Sequence, residues 1–319
     1  MRLATKILLI ILSVATGGLF LYSAWTKVLP IQPFEYTMVE YLHLPWLVAT
    51  VAARLMVGLE AALGGLLVLH LFGRNKLILK AAFAMVVVLS AYLIWLWATA
   101  GDNVNCGCFG DAIWMSPSAS LIKNAGLLVV MGLLARFHNG LSFKRSNTLT
   151  NWLFAAFIAL PFILFPMSRT TPNWLNKGSY TLDLAPFYNP IVDDSEALKV
   201  PYPTTAPIDL AHGKYVVAFL SPGCEHCRFT ARKMALMRRS DSTLPFLMVI
   251  GGIASDLTDF WKATNAKNVP WMRMHRDPFL KYTGGVFPLI VWVDNGKVVA
   301  RSTYNSLNQR AVKDWITGK

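Results

Sequence analysis

The sequence predicts an α-helical transmembrane bundle of four helices plus a fifth connecting span, followed by an α/β domain. Three observations predict it. First, 55% of the 319 residues are hydrophobic and only 15% are charged, against about 25% charged in an ordinary soluble domain. Second, the first half carries repeated apolar runs near the roughly 20 residues that a helix needs to cross a bilayer. Third, the composition changes after about residue 168, where short strand-like runs, turn residues and amphipathic segments take over. This balance excludes a disordered chain and a wholly soluble one. A net charge of +13 could point to a nucleic-acid binder, but sparse charges among long apolar runs fit a membrane protein, and no nucleic-acid partner is expected. The four cysteines fall in two tight pairs, Cys106/Cys108 and Cys224/Cys227. That excludes a disulfide-stapled scaffold and points to local thiol chemistry.

Taken in order, the candidate spans are 7–26, 46–73, 78–100, 119–137 and 150–168. The first resembles a secretory signal, since Arg2 and Lys6 precede it. It is long for a signal core and lacks a clean small-x-small cleavage site, so it reads as a retained helix. Orientation follows from Lys and Arg, because short basic loops stay cytoplasmic. Of the 11 Lys and Arg through residue 168, eight lie at the N-terminus, between spans two and three, or between spans four and five. The loop 101–118 has neither Lys nor Arg, only Asp102 and Asp111. The expected topology puts the N-terminus inside, loops 27–45 and 101–118 outside, and everything after residue 168 outside. Trp25, Trp46, Trp95, Trp97 and Trp114 read as interface-belt aromatics.

The second half reads as a linker followed by a domain. Residues 169–213 are rich in Pro, Asn, Asp and Ser and look extended, with a first strand near their end. Then comes a buried-type strand, Tyr215–Leu220, the turn Ser221-Pro222-Gly223, and Cys224-Glu225-His226-Cys227 opening a helix to Arg239. Further strands are expected near 245–250, 269–275, 289–293 and 297–301, and helices near 255–264, 277–283 and 306–317. Asp294-Asn295-Gly296 is a hairpin signal.

Placing Cys224 at a helix N-terminus lets the peptide dipoles and free N–H groups stabilise a thiolate. Cys227, three residues on, shares its helical face and can close a disulfide. The competing reading of a CxxC is half a zinc site. That needs two more close ligands; no second CxxC or HxxxH is present in this domain, and no metal is expected. The order of elements, with an X-Pro opening a later strand, resembles the thioredoxin fold over roughly 205–319. The resemblance implies that Pro288 is cis and lies beside the disulfide, and that the backbone of Phe287 pairs with bound peptide. His226 before the second cysteine resembles the DsbA-type periplasmic oxidants, where an imidazole favours the reduced form and so makes the disulfide a better oxidant. Glu225 works the other way and resembles the membrane-tethered reductases of the thioredoxin family.

In Asn105-Cys106-Gly107-Cys108-Phe109-Gly110, two cysteines flank a glycine that tolerates the dihedrals of a small ring. Such a ring is strained, and strained disulfides are good oxidants. The alternative is two inert small residues at a membrane boundary. With the Cys-Gly-Cys-Phe-Gly run, the Lys27 region, and Arg54 and Glu60 with Gly64-Gly65 in the second span, residues 1–137 resemble the MauE branch of the DoxX-like membrane family. The resemblance implies a four-helix domain (1–145) that works with a thioredoxin-like partner in making protein disulfides. Here the partner is fused on through a fifth helix (146–168), a linker (169–204) and a thioredoxin-like domain (205–319). Relatives on the DoxX side are linked to quinone. The layout also resembles vitamin K epoxide reductase homologues, an analogy of arrangement alone.

Ionisable groups in hydrocarbon are costly and usually face a bundle interior. Arg54 and Glu60 are six residues apart, about 240° net around a helix, so they do not share a face. Arg54, near the outer end, can snorkel. Glu60 reads either as a proton or quinone-headgroup partner or as a structural bond to another helix, and both residues are candidate cofactor contacts.

The expected function is a thiol–disulfide oxidoreductase of the bacterial inner membrane with its C-terminal domain in the periplasm. Cys224 is the nucleophile, Cys227 resolves, and the pair exchanges with Cys106/Cys108. No cysteine falls on the side read as cytoplasmic, so a quinone or an outer partner must carry the electrons, in the oxidising direction. Expected partners are membrane lipid and thiol or disulfide proteins. The alternatives are a membrane-anchored thioredoxin-like reductase, a non-catalytic maturation factor and a metal carrier.

Overall fold

The computed structural model describes every residue except 1, 2, 74, 75, 112, 142–145, 166, 168–171, 176, 177, 190–201, 252–255 and 319. The chain divides into two compact units, Met1–Met167 and Ser168–Lys319.

In the first unit, five helices are long and apolar enough to cross a membrane: α1 (Leu3–Val28), α3 (Trp46–Val68), α4 (Leu77–Ala100), α5 (Pro117–Phe137) and α6 (Ser146–Leu164). All five coincide with the expected spans, with shifted ends. α3 stops at Val68, short of residue 73, and the chain turns at His70, which has φ +54°. α6 begins at Ser146, because the polar Ser-Asn-Thr run forms its first turn, and it ends at Leu164. α5 starts cleanly, with Pro117 in its first turn and the Ser116 hydroxyl accepting from the Ala119 N–H at 3.3 Å.

The stretch 27–45, read as an outer loop, contains a further helix, α2 (Gln32–Leu42). A cis Leu29–Pro30 bond precedes it, Pro33 lies in its first turn, and His43 ends it at φ 52°. Phe34 and Met38, one turn apart, bury with Ala24 of α1 and Ala49, Ala53 and Val57 of α3. α1 and α3 touch backbone to backbone: a Cβ on Gly64 would fall 2.8 Å from the Gly17 carbonyl oxygen. Leu63, Leu66, Leu67, Leu79, Val86, Met131 and Leu134 fill the main core. Large apolar side chains such as Val88, Ile122 and Ile163 point outward, as a lipid-facing surface requires. Trp25, Trp95, Trp97 and Trp114 are exposed, whereas Trp46 packs edge-on against Tyr36.

The second unit is a mixed sheet with helices. Its strands are β2 (Asn173–Trp174), β3 (Tyr180–Thr181), β4 (Lys214–Leu220), β5 (Phe246–Ile250), β6 (Trp271–Arg273), β7 (Leu289–Asp294) and β8 (Lys297–Ser302). β1 is the short Cys108–Asp111 strand of the first unit. The order is β2-β8-β7-β4-β5-β6, with β3 also on β8. β4, β5 and β6 run parallel, while β7 is antiparallel to β4 and pairs with β8 across the Asp294–Lys297 turn. α8 (Glu225–Ser240) links β4 to β5, α9 (Leu257–Thr264) links β5 to β6, α10 (Arg276–Thr283) links β6 to β7, and α11 (Gln309–Thr317) follows β8. This is the thioredoxin-like arrangement. β4 and β5 read as continuous apolar runs because both faces are covered, with Val216–Leu220 and Phe246–Ile250 all buried.

One boundary is corrected. Residues 173–188, assigned to the linker, belong to the domain. β2 and β3 pair with β8, and the short helix α7 (Ala185–Tyr188) buries Phe187 against Phe219 and Tyr282. The proline-rich composition suits short edge strands and turns as well as a free tether. Residues 190–201 of the expected linker lie outside the described residues.

Candidate functional site

In the second unit the sequence builds a dithiol at a helix start. β4 delivers the chain through Ser221-Pro222-Gly223 into α8, and Cys224 is the N-cap residue, with φ −88° and ψ 122°. Its sulfur accepts from the Cys227 N–H at 3.3 Å and lies 3.8 Å from the Phe287 carbonyl oxygen. The Phe287–Pro288 bond is cis, and the Phe287 carbonyl stands against the dithiol just before β7. Cys224 is partly exposed and Cys227 fully buried. Burial, with the Cys224 sulfur beside it, pushes the Cys227 thiol well up. An accessible sulfur over a buried one suits attack by the first and resolution by the second. His226 is exposed, its ring 5.0 Å from the Tyr304 ring, centroid to centroid, and Lys233 of α8 donates to the Tyr304 carbonyl at 2.8 Å. Tyr304 carried no local sequence signal, being 78 residues downstream in a loop.

In the first unit the Cys-Gly-Cys turn lies between α4 and α5. Gly107 adopts φ +69°, the left-handed region that glycine enters freely. Asn105 braces the turn, its side chain bonding the Gly107 N–H at 3.3 Å, the Met115 N–H at 3.4 Å and the Gly110 carbonyl at 3.0 Å. Cys106 is 4% exposed and Cys108 is partly exposed. The Cys106 sulfur lies 3.0 Å from the Ser120 hydroxyl and accepts the Cys108 N–H at 3.2 Å. The Cys108 thiol beside it, then Ser120, the Cys108 N–H and the Lys123 charge, outweigh burial and hold the Cys106 thiol down to about 6. Cys108 is pushed the other way, first by its bond to Cys106 and then by burial.

Beneath this turn is a cavity of about 330 Å³. Lys27, Glu60, Ser23, Cys106 and Cys108 form a polar cluster on its wall, Thr37, Tyr92, Lys123 and Asn124 also reach it, and most of the rest is apolar, with residues such as Leu19, Met38, Leu89 and Leu127. Glu60 does not meet Arg54. Its carboxylate pairs with Lys27 of α1 at 2.5 Å, and the Ser23 hydroxyl lies 3.1 Å from Glu60 Oε2 and 2.8 Å from the Cys108 carbonyl oxygen. The ion pair thus ties α1 and α3 to the cysteine turn. Lys27 and Ser23 were missed as partners of Glu60, because partners 33 and 37 residues away leave no local pattern.

Arg54 requires a correction. It does not snorkel: it is 4% exposed, pairs with Glu35 of α2 at 2.6 Å, and donates to the Thr50 and Phe165 carbonyls at 2.8 and 2.6 Å. It is not among the residues lining the cavity; it knots α2, α3 and the end of α6 together.

Fold and site together define a class, the membrane thiol–disulfide oxidoreductase-like proteins. Residues 5–137 match the family described as methylamine utilisation protein MauE, so the first unit carries a MauE domain. The chain is 24% identical over 326 residues to Protein TlpB of Flavobacterium psychrophilum, an alignment covering 87% of this chain and 86% of that one. Among solved structures, the thioredoxin domain of a thiol-disulfide oxidoreductase from Bacteroides vulgatus matches at 19% identity, covering 34% of this chain and 82% of that one, with a TM-score of 0.29. A thiol:disulfide interchange protein from Bacteroides sp. matches at 16% identity over 47% and 91% of the two chains, with a TM-score of 0.30. Strand order and the Cys224–Phe287 geometry, not these partial overlaps, define the fold.

Proposed function

We propose that this protein relays electron pairs from the Cys224/Cys227 dithiol to a Cys106/Cys108 disulfide in a bacterial cytoplasmic membrane, in the oxidising direction and with a quinone as final acceptor. The observation that carries the reading is the second dithiol on the wall of a largely apolar cavity, beside a buried ion pair. The Lys and Arg distribution supports an N-terminus inside and both cysteine pairs on the periplasmic side. Cys224 exchanges with client thiols, Cys227 resolves, and the Phe287–Pro288 backbone offers an extended client a surface to pair with. His226, exposed beside the dithiol, faces the same clients.

The cavity fits a quinone in size, in its apolar wall and in a polar cluster whose Lys27 charge is balanced by Glu60. A quinone, when bound, supplies an acceptor for two electrons and two protons. Lys27, Ser23 and Glu60 would hold its polar end, and the apolar wall would exclude water from the cysteines. Arg54, away from the cavity, is structural.

Trapping the thiol states of all four cysteines in cells tests this. Quinone depletion should leave Cys106 and Cys108 reduced, and Cys224 and Cys227 after them. Unchanged thiol states would overturn the quinone link. Full activity after replacing Cys106 and Cys108 would identify an anchored reductase instead.

A further inference from the structure

The two sulfurs of the Cys-Gly-Cys turn are held differently, and the difference assigns them different tasks. Cys106 is buried and fixed: its N–H donates to the Met115 carbonyl at 2.9 Å, the Ser120 hydroxyl lies 3.0 Å from its sulfur, and the Cys108 N–H donates to that sulfur at 3.2 Å. Ser120, on α5, is fully buried. Cys108 remains partly open. Resting on the relay proposed above, we infer that Cys108 is the sulfur attacked in the oxidised pair, that Cys106 leaves as the thiolate, and that Ser120 is the positioning residue that holds this leaving group.

The Cys224 thiolate attacks Cys108 Sγ. The Cys106–Cys108 bond breaks, the Cys108–Cys224 bond forms, and Cys106 departs with the electron pair, its charge met by the Ser120 O–H and the Cys108 N–H. Cys227 then loses its proton to water and attacks Cys224 Sγ. The Cys224–Cys227 disulfide forms and Cys108 departs, taking a proton. Two electrons and one proton have passed to the pair, which ends as a Cys106 thiolate and a Cys108 thiol. A thiol of low pKa leaves faster, so the bonds to Cys106 favour this direction over attack at Cys106. The charged and titratable groups facing the pair are Lys123 of α5, Lys27 of α1, Glu60 of α3 and Tyr92 of α4, all lining the same cavity. Lys123 favours the Cys106 thiolate by its charge.

Two measurements on the full-length protein in detergent test this. In the first, alkylation of the reduced protein is followed against pH and read residue by residue by mass spectrometry. Ser120→Ala should raise the Cys106 midpoint by about one pH unit and make the Cys106/Cys108 pair a weaker oxidant by about tenfold in its equilibrium with a reference dithiol. Ser120→Thr should restore both. An unmoved midpoint and equilibrium in Ser120→Ala would overturn the role of Ser120. In the second, mild diamide oxidation of Cys106→Ser with Cys227→Ser should trap a Cys108–Cys224 disulfide, while Cys108→Ser with Cys227→Ser should trap little or no Cys106–Cys224 disulfide. A preference for Cys106–Cys224 would overturn the assignment and leave the relay standing. No mixed disulfide in either would overturn the relay itself.

Discussion

Lys27 and Glu60 show how a bundle holds charge in hydrocarbon. Each is below 5% exposed, and their 2.5 Å contact compensates both. Removing one partner of a buried pair costs about 3–5 kcal/mol, because the other is left unpaired, whereas replacing both together can be nearly neutral. Lys27→Met should therefore lower the thermal midpoint in detergent sharply, and Lys27→Met with Glu60→Gln should recover most of it. If the double variant stays as unstable as the single one, the pair is not the source of the loss. Arg54 and Glu35 should behave alike: Glu35→Ala should destabilise by a similar amount through an orphaned Arg54. At this scale the sequence made the cysteines, Pro288 and Glu60 visible, because a close cysteine pair, an X-Pro before a strand and a carboxylate inside a span are each unusual locally. It hid their partners. Lys27 ends a span, where a lysine reads as an interface charge, and Ser120 is one serine among several.

At the scale of elements, close approach of helices limits what substitutions the bundle accepts. Gly64→Leu would drive a side chain into the Gly17 carbonyl and the Phe20 Cβ, since even a Cβ there falls 2.8 and 2.9 Å from them. α1 and α3 would have to part, displacing Lys27 from Glu60, and the protein should unfold at lower temperature with less reactive Cys106. Gly126 on α5 is the control, with nothing within 4 Å of its Cβ position. Gly126→Ala should be neutral or stabilising by up to about 1 kcal/mol, from helix propensity alone. Both are read by thermal unfolding in detergent. The long helices were legible from apolar length. α2 was not, because eleven residues with two glutamates and three aromatics carry little span-like character. Its signals, Pro33 in the first turn and Phe34 with Met38 one turn apart, are faint until α3 is there to receive them.

The whole molecule divides as its composition does, with apolar spans before residue 168 and a mixed sheet after. The division was legible because a bilayer imposes a length of apolar chain that no soluble domain needs. The start of the second unit was less so, since proline-rich edge strands and a proline-rich tether share a composition. A soluble chain starting at residue 172 should fold and keep Cys224 reactive. One starting at residue 189 loses β2, β3, Leu182 and Phe187, the last two buried in the core. Loss of a buried phenylalanine alone costs about 3–5 kcal/mol, so the shorter chain should melt much lower in circular dichroism. Equal melting of the two would show that 173–188 contribute nothing.

Those same short strands have a bearing on crowding. A sheet edge with unpaired N–H and C=O groups is a template on which a neighbouring chain can add a strand. β2 and β3 occupy the outer side of β8, and on the opposite border β6 is only three residues long, with its Arg273 N–H already donating to the Pro203 carbonyl at 2.7 Å. Tethered domains meet one another often in the plane of a membrane, and this one presents its neighbours little free edge to extend. Its self-association should therefore stay low at high surface density.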